Sequence, residues 1–205
     1  MRNKTLTSLM LATLMLAGCT IDNTAALRPA PQMTLEQFTP LTLPVRTVDV
    51  IPTQGMNTNA GYGVLPMPVD QAIEGYARKR FIAGGGAPTM TVTVVESRFK
   101  QSPMRDVTGA GLGILTMQRM QTIEIGARVK VEIMDGTRQQ TRQEYNLSSK
   151  TELSDQLSLA DRDLKLIRFM EGFLIKLDTQ ILEGVQKAVP SMTLTKIQPT
   201  PSGEM

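Results

Sequence analysis

Histidine and tryptophan are absent from this 205-residue chain, and cysteine occurs once. Without histidine there is no Ser-His-Asp or Cys-His machinery and no His-ligated zinc. A single cysteine cannot form an internal disulfide. With three Tyr and five Phe, stacking platforms for bases or sugars are poorly supplied. No G-x-x-x-x-G-K-[ST] phosphate loop is present. The apolar run at Leu6–Leu16 is too short to span a bilayer comfortably.

What is present starts with the address. Arg2 and Lys4 precede Leu6–Leu16, which ends in Leu16-Ala17-Gly18-Cys19. The layout is that of a secretory signal peptide. Its end resembles the lipobox of bacterial lipoproteins, in which the cysteine is lipidated and becomes the new N-terminus. The expectation is a signal peptide over residues 1–18 and a covalent diacylglycerol and acyl lipid on Cys19, with no other cofactor. Removing residues 1–18 also removes Arg2 and Lys4, and with them most of the net charge of +3, so the basic balance does not point to nucleic acid. Two or more acyl chains anchor stably, so the chain is expected on a membrane. Thr20 rather than Asp follows the cysteine. By resemblance to enterobacterial sorting, this favours the periplasm-facing inner leaflet of the outer membrane, with the periplasmic face of the inner membrane as the alternative.

Residues 19–40 carry several prolines and no sustained apolar period, and read as a flexible tether reaching roughly 25 Å. Residues 190–205, with three prolines, read as a disordered tail. Between them, 41–189 is the size of one domain. Leu43–Ile51 is rich in β-branched residues and bounded by prolines, a strand that suits a sheet edge. Val69, Ala72, Ile73, Tyr76, Ala77 and Phe81 fall at helical spacing after Pro68, and Gly84-Gly85-Gly86 is the expected helix stop. Thr89–Phe99 alternates as a strand. Thr122–Met134 does so more clearly, with Ile123, Ile125, Ala127, Val129, Val131 and Ile133 on one face and charges on the other.

A two-residue turn at Asp135-Gly136 would set Val129 opposite Arg142 and place charge in the core. A three-residue loop, Met134-Asp135-Gly136, sets Ile125 opposite Tyr145 and Ile123 opposite Leu147, with Gly136 left-handed. Ser158-Leu-Ala-Asp161 is a capping-box variant heading a helix from about Leu159 to Ala188. Leu164, Ile167, Leu174, Leu177, Ile181 and Val185 form its core stripe. Leu166, Phe169 and Phe173 form a second stripe, either buried between sheet and loops or a partner or self-association surface. The expected fold is α+β: a two-layer sandwich of a mainly antiparallel sheet of about four strands, in the order β-α-β-β-β-α, with two helices on one face.

The stretch Thr108–Met117 (TGAGLGILTM) fails the dinucleotide pattern, because Ile114 holds a position that needs glycine and a strand follows where a helix is required. It is expected to be a long connection between the Thr89 and Thr122 strands. Leu112, Ile114 and Leu115 either fold back over the core or present an apolar lip to a partner or membrane. The carboxylates have bland readings. Asp161 and Asp163 suit a helix start, and Glu124 and Glu132 suit charge pairing with Arg128 and Lys130. No nucleophile–base pair or metal cluster joins them, so no catalytic residue and no metal site is assigned.

Leu65–Gly86, Met90–Glu96, the Gly-Leu-Gly-Ile-Leu-Thr segment leading into Ile123–Ile133, and the Ser158–Asp163 helix start resemble an alphaproteobacterial family of envelope lipoproteins. More loosely, the order of elements resembles ABC-type transport auxiliary, YajG-type and LptE-like lipoproteins. The resemblance implies a non-catalytic accessory of an envelope transport or assembly complex, with protein partners in the envelope, no nucleic acid and scope for a homo-oligomer. The alternatives are a scaffold or regulator binding cell-wall synthesis partners and, further off, a carboxylate-dependent hydrolase.

Overall fold

The computed structural model describes residues 32–53, 64–111 and 114–188, with backbone alone for 108–111, 114–117, 140 and 188. The signal peptide, Cys19 and the tail therefore lie outside the described residues.

The phase of burial explains how the first strand region divides. Leu43 and Val45 are buried at odd positions, whereas Val48 and Val50 turn inward at even ones. One continuous strand cannot bury both sets. Pro44 lacks an N–H, and the chain breaks there into β1 (Leu41–Leu43) and β2 (Thr47–Ile51), correcting the single expected strand. Helix α1 (Val69–Arg80) follows, burying Val69, Ala72, Ile73, Tyr76, Ala77 and Arg80. Phe81 adopts extended geometry and opens β3 (Phe81–Ala83), which pairs in parallel with β1. The helix thus ends before the glycine triplet. Gly84–Gly86 instead allows close approach to the Leu43–Val45 turn: a Cβ on Gly86 would lie 2.5 Å from the Pro44 carbonyl oxygen, and the φ of Gly86 is 139°.

The main sheet holds β2, β4 (Thr89–Gln101), β5 (Arg105–Gly111), β6 (Ile114–Asp135) and β7 (Arg138–Ser154). It runs to five strands rather than about four. β2 is parallel to β4, and the other pairings are antiparallel. β6 is the spine: β4 and then β5 pair along one edge, and β7 pairs along the other. At 22 residues it spans about 70 Å and starts eight residues before the expected Thr122.

The β6–β7 turn is Gly136-Thr137, between the paired Asp135 and Arg138, and Gly136 has φ 58°. A register shift leaves Gln140 without a partner, so that Val129 faces Tyr145 and Ala127 faces Leu147. The expected pairings of Ile125 with Tyr145 and Ile123 with Leu147 are therefore wrong by four positions. The face they assigned is right, because the bulge restores the parity that keeps apolar opposite apolar.

Helix α2 (Leu159–Ala188) begins as expected. The Asp161 N–H donates to Ser158 Oγ (3.1 Å), and the Ser158 hydroxyl donates to Asp161 Oδ2 (2.6 Å). Both helices cover one sheet face, α1 on β2, β4 and β6, and α2 on β7. The result is an α+β two-layer sandwich. Its core also takes in Phe38, fully buried with its ring 4.9 Å from Tyr76, and packs Met33 and Leu35 against its edge. The folded unit therefore begins inside the segment expected to be tether, upstream of residue 41.

Candidate interaction surfaces

β4 leaves β6 where Gln101 faces Ile123, and Pro103 follows. Ser102 closes the junction: its N–H donates to the Thr122 carbonyl (2.9 Å), and its Oγ accepts from the Thr122 N–H (2.8 Å). β5 then takes over the vacated edge of β6, from Arg105 opposite Met120 to Gly111 opposite Ile114. β7 ends level with Met120. Beyond that point the sheet continues as a two-stranded ribbon of about 20 Å, with both outer edges unpaired among the described residues. Its base is held by ion pairs from Arg119 to Asp106 (3.4 Å) and from Arg105 to Glu152, and by the Asp155 N–H on the Arg119 carbonyl (3.0 Å). Met104 and Val107 are exposed there.

The stretch Thr108–Met117 is thus the end of a hairpin, correcting the expected long connection. Ile114 pairs with Gly111 and Leu115 with Ala110; Leu112 lies outside the described residues. β5 makes its extensive contacts with β6, and its base meets β7 through the Arg105–Glu152 ion pair, so its backbone continues the sheet.

The second expected partner stripe is resolved differently. Leu166 and Phe173 are each 1 % exposed and belong to the core, and Phe169 is partly buried against it. They are not a docking surface. Leu164, assigned to the core stripe, is exposed instead, as is Leu159, because the first turns of α2 extend past the core.

A groove of about 410 Å³ lies between β7 and α2, lined by Asn146, Leu147, Ser148, Ile175, Lys176, Thr179 and Gln180. Its floor is apolar (Leu147 and Ile175), and the Lys176 ammonium reaches Ser149 Oγ at 3.4 Å. No carboxylate lines it. Sequence reading did not find this groove, because the groove depends on where α2 sits across the sheet.

One buried polar cluster was also missed. Asp178 Oδ1 accepts from the Tyr76 hydroxyl and from Arg80 Nε, each at 2.8 Å, and Arg80 Nη1 donates to the Thr39 carbonyl. Arg80 and Asp178 are each 3 % exposed. Burial first, and then the Asp178 charge, push the Tyr76 hydroxyl well above its ordinary range, so it stays a neutral donor. The cluster joins α1, α2 and the N-terminal segment. A signal did exist: Asp178 interrupts the apolar series Leu174, Leu177, Ile181.

The opposite sheet face is a ladder of ion pairs. Arg128 bridges Glu96 and Glu144 at 3.5 Å each, Glu132 meets Lys130 (2.8 Å) and Arg142 (3.6 Å), and Glu124 meets Lys150 (3.3 Å). Of the carboxylates considered for catalysis, Glu124 and Glu132 are held there, Asp161 lies in the helix cap, and Asp163 is exposed near the start of α2. Among the described residues no three His, Cys, Asp or Glu side chains converge on a metal position.

These features define an α+β sandwich with a projecting ribbon and a groove between β7 and α2. No protein-family profile matches the chain, and no curated protein does. Among solved structures it is similar to rare lipoprotein B of Shewanella oneidensis, at 9 % identity and TM-score 0.32, covering 67 % of this chain and 97 % of that one. It is also similar to a minor lipoprotein of Acinetobacter baumannii, at 12 % identity and TM-score 0.31, covering 75 % and 95 %. Likenesses this remote carry no argument about activity or partner.

Proposed function

We propose that this chain is a lipid-anchored, periplasm-facing accessory of an envelope transport or assembly complex, binding its partner without chemistry of its own. Leu16-Ala17-Gly18-Cys19 supports the anchor, and Thr20 supports the inner leaflet of the outer membrane. Among the described residues no helix is long and apolar enough to cross a membrane. The observation that carries the binding role is the β5–β6 ribbon. It extends past the ends of β4 and β7, its outer edges are unpaired among the described residues, and the sequence from 109 to 115 is small and apolar, Gly-Ala-Gly-Leu-Gly-Ile-Leu. An isolated two-stranded ribbon is marginal in water, and glycines weaken it further. Such a ribbon gains most by setting its edges and apolar tip against another surface.

The test is a crosslinking pulldown of the lipidated protein from its native envelope, beside a Cys19→Ala control. Acyl labelling and globomycin sensitivity check the anchor separately. The proposal expects a transport or assembly component enriched above the control. Enrichment of a cell-wall synthase instead, or of nothing, defeats it.

A further inference from the structure

β7 has one edge on β6 and, among the described residues, no strand on the other. Its odd-numbered residues bond towards β6. A Cβ on Gly126 of β6 would lie 3.2 Å from the Leu147 carbonyl oxygen, and the Asp155 N–H reaches the Arg119 carbonyl in the same phase. Backbone groups alternate along an antiparallel strand, so those of Glu144, Asn146, Ser148 and Lys150 point to the open edge. The side chains of these four are exposed, while Leu147, Ser149 and Leu153 are buried under the helical layer. The groove beside α2 takes in both Asn146 and Ser148, so it opens along this edge, with Leu147 at its centre.

We propose that the outer edge of β7 pairs with the same edge of a second copy of this chain, antiparallel and centred on Leu147, so that two five-stranded sheets become one. Charge complementarity selects both the occupant and the register. A two-fold axis at Leu147 sets Glu144 opposite the partner's Lys150 and Arg142 opposite the partner's Glu152, each twice by symmetry. Opposite charges facing across strands stabilise a pair, and like charges destabilise it. The row Glu124, Lys150, the partner's Glu144 and the partner's Lys130 then alternates in sign across the junction. Both sheet faces stay continuous only if the axis passes through a residue. The neighbouring choices fail. An axis at Asn146 sets Arg142 opposite the partner's Lys150, and one at Ser148 sets Glu144 opposite the partner's Glu152.

The helical layer gives independent support. Gly184 lies against Gln143 and Tyr145, and Lys176 reaches Ser149, so α2 runs antiparallel to β7 and Leu147 is level with Gln180. The same axis therefore runs the two α2 helices antiparallel, with Thr179 and Gln180 near it and Lys176 facing the partner's Glu183. All four are exposed. Lys176 has no carboxylate three or four residues away on its own helix, where Gly172, Phe173, Thr179 and Gln180 stand. The strands agree: Lys176 stands by Ser149, the Glu183 charge acts on Tyr145, and this register sets Tyr145 opposite the partner's Ser149. The pairing also closes an edge that otherwise invites other chains, leaving the ribbon as the surface for partners.

Sedimentation equilibrium of the full chain in density-matched detergent tests this. The proposal expects a dimer. Glu144→Lys alone and Lys150→Glu alone each set like charges opposite one another twice, and each should weaken the dimer about tenfold or more. An equimolar mixture of the two variants should recover it, because each chain then meets opposite charges on the other. Positions 144 and 150 stand about 20 Å apart along one strand, so no contact within a chain produces that recovery. The amides of Asn146 and Ser148 should exchange more slowly as protein concentration rises. A chain that stays monomeric at every concentration overturns the proposal. So does a dimer that neither variant weakens, or a pair of weakened variants that mixing does not restore. Slow exchange at Asn146 and Ser148 in a monomer overturns it in favour of an edge covered from within the chain.

Discussion

Asp178→Ala removes the acceptor of two hydrogen bonds, both from groups that are almost fully buried. Arg80 keeps its charge in a site 3 % exposed, with the Thr39 carbonyl as its remaining partner. Truncating one side of a buried ion pair costs about 3–5 kcal/mol, because the other charge stays desolvated. A domain's net stability is about 5–15 kcal/mol, so the loss is a large share of it. Tyr76→Phe deletes one hydrogen bond to a charged group and should cost about 1.5–3 kcal/mol. Arg80→Met with Asp178→Leu removes both charges and should cost less than either single charge removal, since no ion is left stranded. The assay is urea unfolding followed by circular dichroism, with equal slopes across the set. An Asp178→Ala loss under about 1 kcal/mol, or a double variant as damaged as the sum of the singles, would refute the account of this cluster as an interdependent clamp.

Phe38→Ala should cost about 3–5 kcal/mol in the same assay, because its fully buried ring fills space beside Tyr76; a loss near zero would return Phe38 to the tether. Ser158→Ala should cost about 1 kcal/mol through loss of the α2 cap, with little change in Asp163→Asn as a control. Burial, with the Glu183 charge as a lesser cause, raises the Tyr145 hydroxyl to about 12. A folded-state value above the ordinary 10.0 means that stability is fully present below pH 10 and lost as pH rises towards 12, so Tyr145→Phe should flatten the alkaline limb of a stability–pH curve. Burial likewise raises the Glu171 carboxyl, so Glu171→Gln should unfold later than the parent at neutral pH and lose that advantage in acid.

The layers of this fold were legible wherever burial imposed a period. Ile123 to Ile133 and Val69 to Ala77 repeat at two and at about 3.6 residues, and the structure buries them as those periods require. The Ser158 cap was legible because it is local. Phase breaks were not. The division at Pro44, the bulge after Val94 and the unpaired Gln140 each turn a side-chain series over, and the sequence marks none of them strongly. The ribbon was missed for a related reason: Arg105, Asp106 and Val107 are all exposed, so no burial period marks the start of β5. Leu166 and Phe173 were ambiguous until the position of α2 on β7 decided that a wide apolar helix is covered. The Asp178 cluster depends on α1 and α2 meeting across about a hundred residues of chain, which no local pattern reports.

A photoactivated crosslinker placed at position 112, between the paired Gly111 and Ile114 in sequence, and at Glu124 on the charged sheet face as a control, tests the binding role most directly in native envelopes. The account predicts one envelope transport or assembly protein crosslinked from position 112 and not from Glu124, with that product lost in Leu115→Asp while the fold persists. Crosslinks from Glu124 alone, or an undiminished product in a folded Leu115→Asp protein, would contradict it.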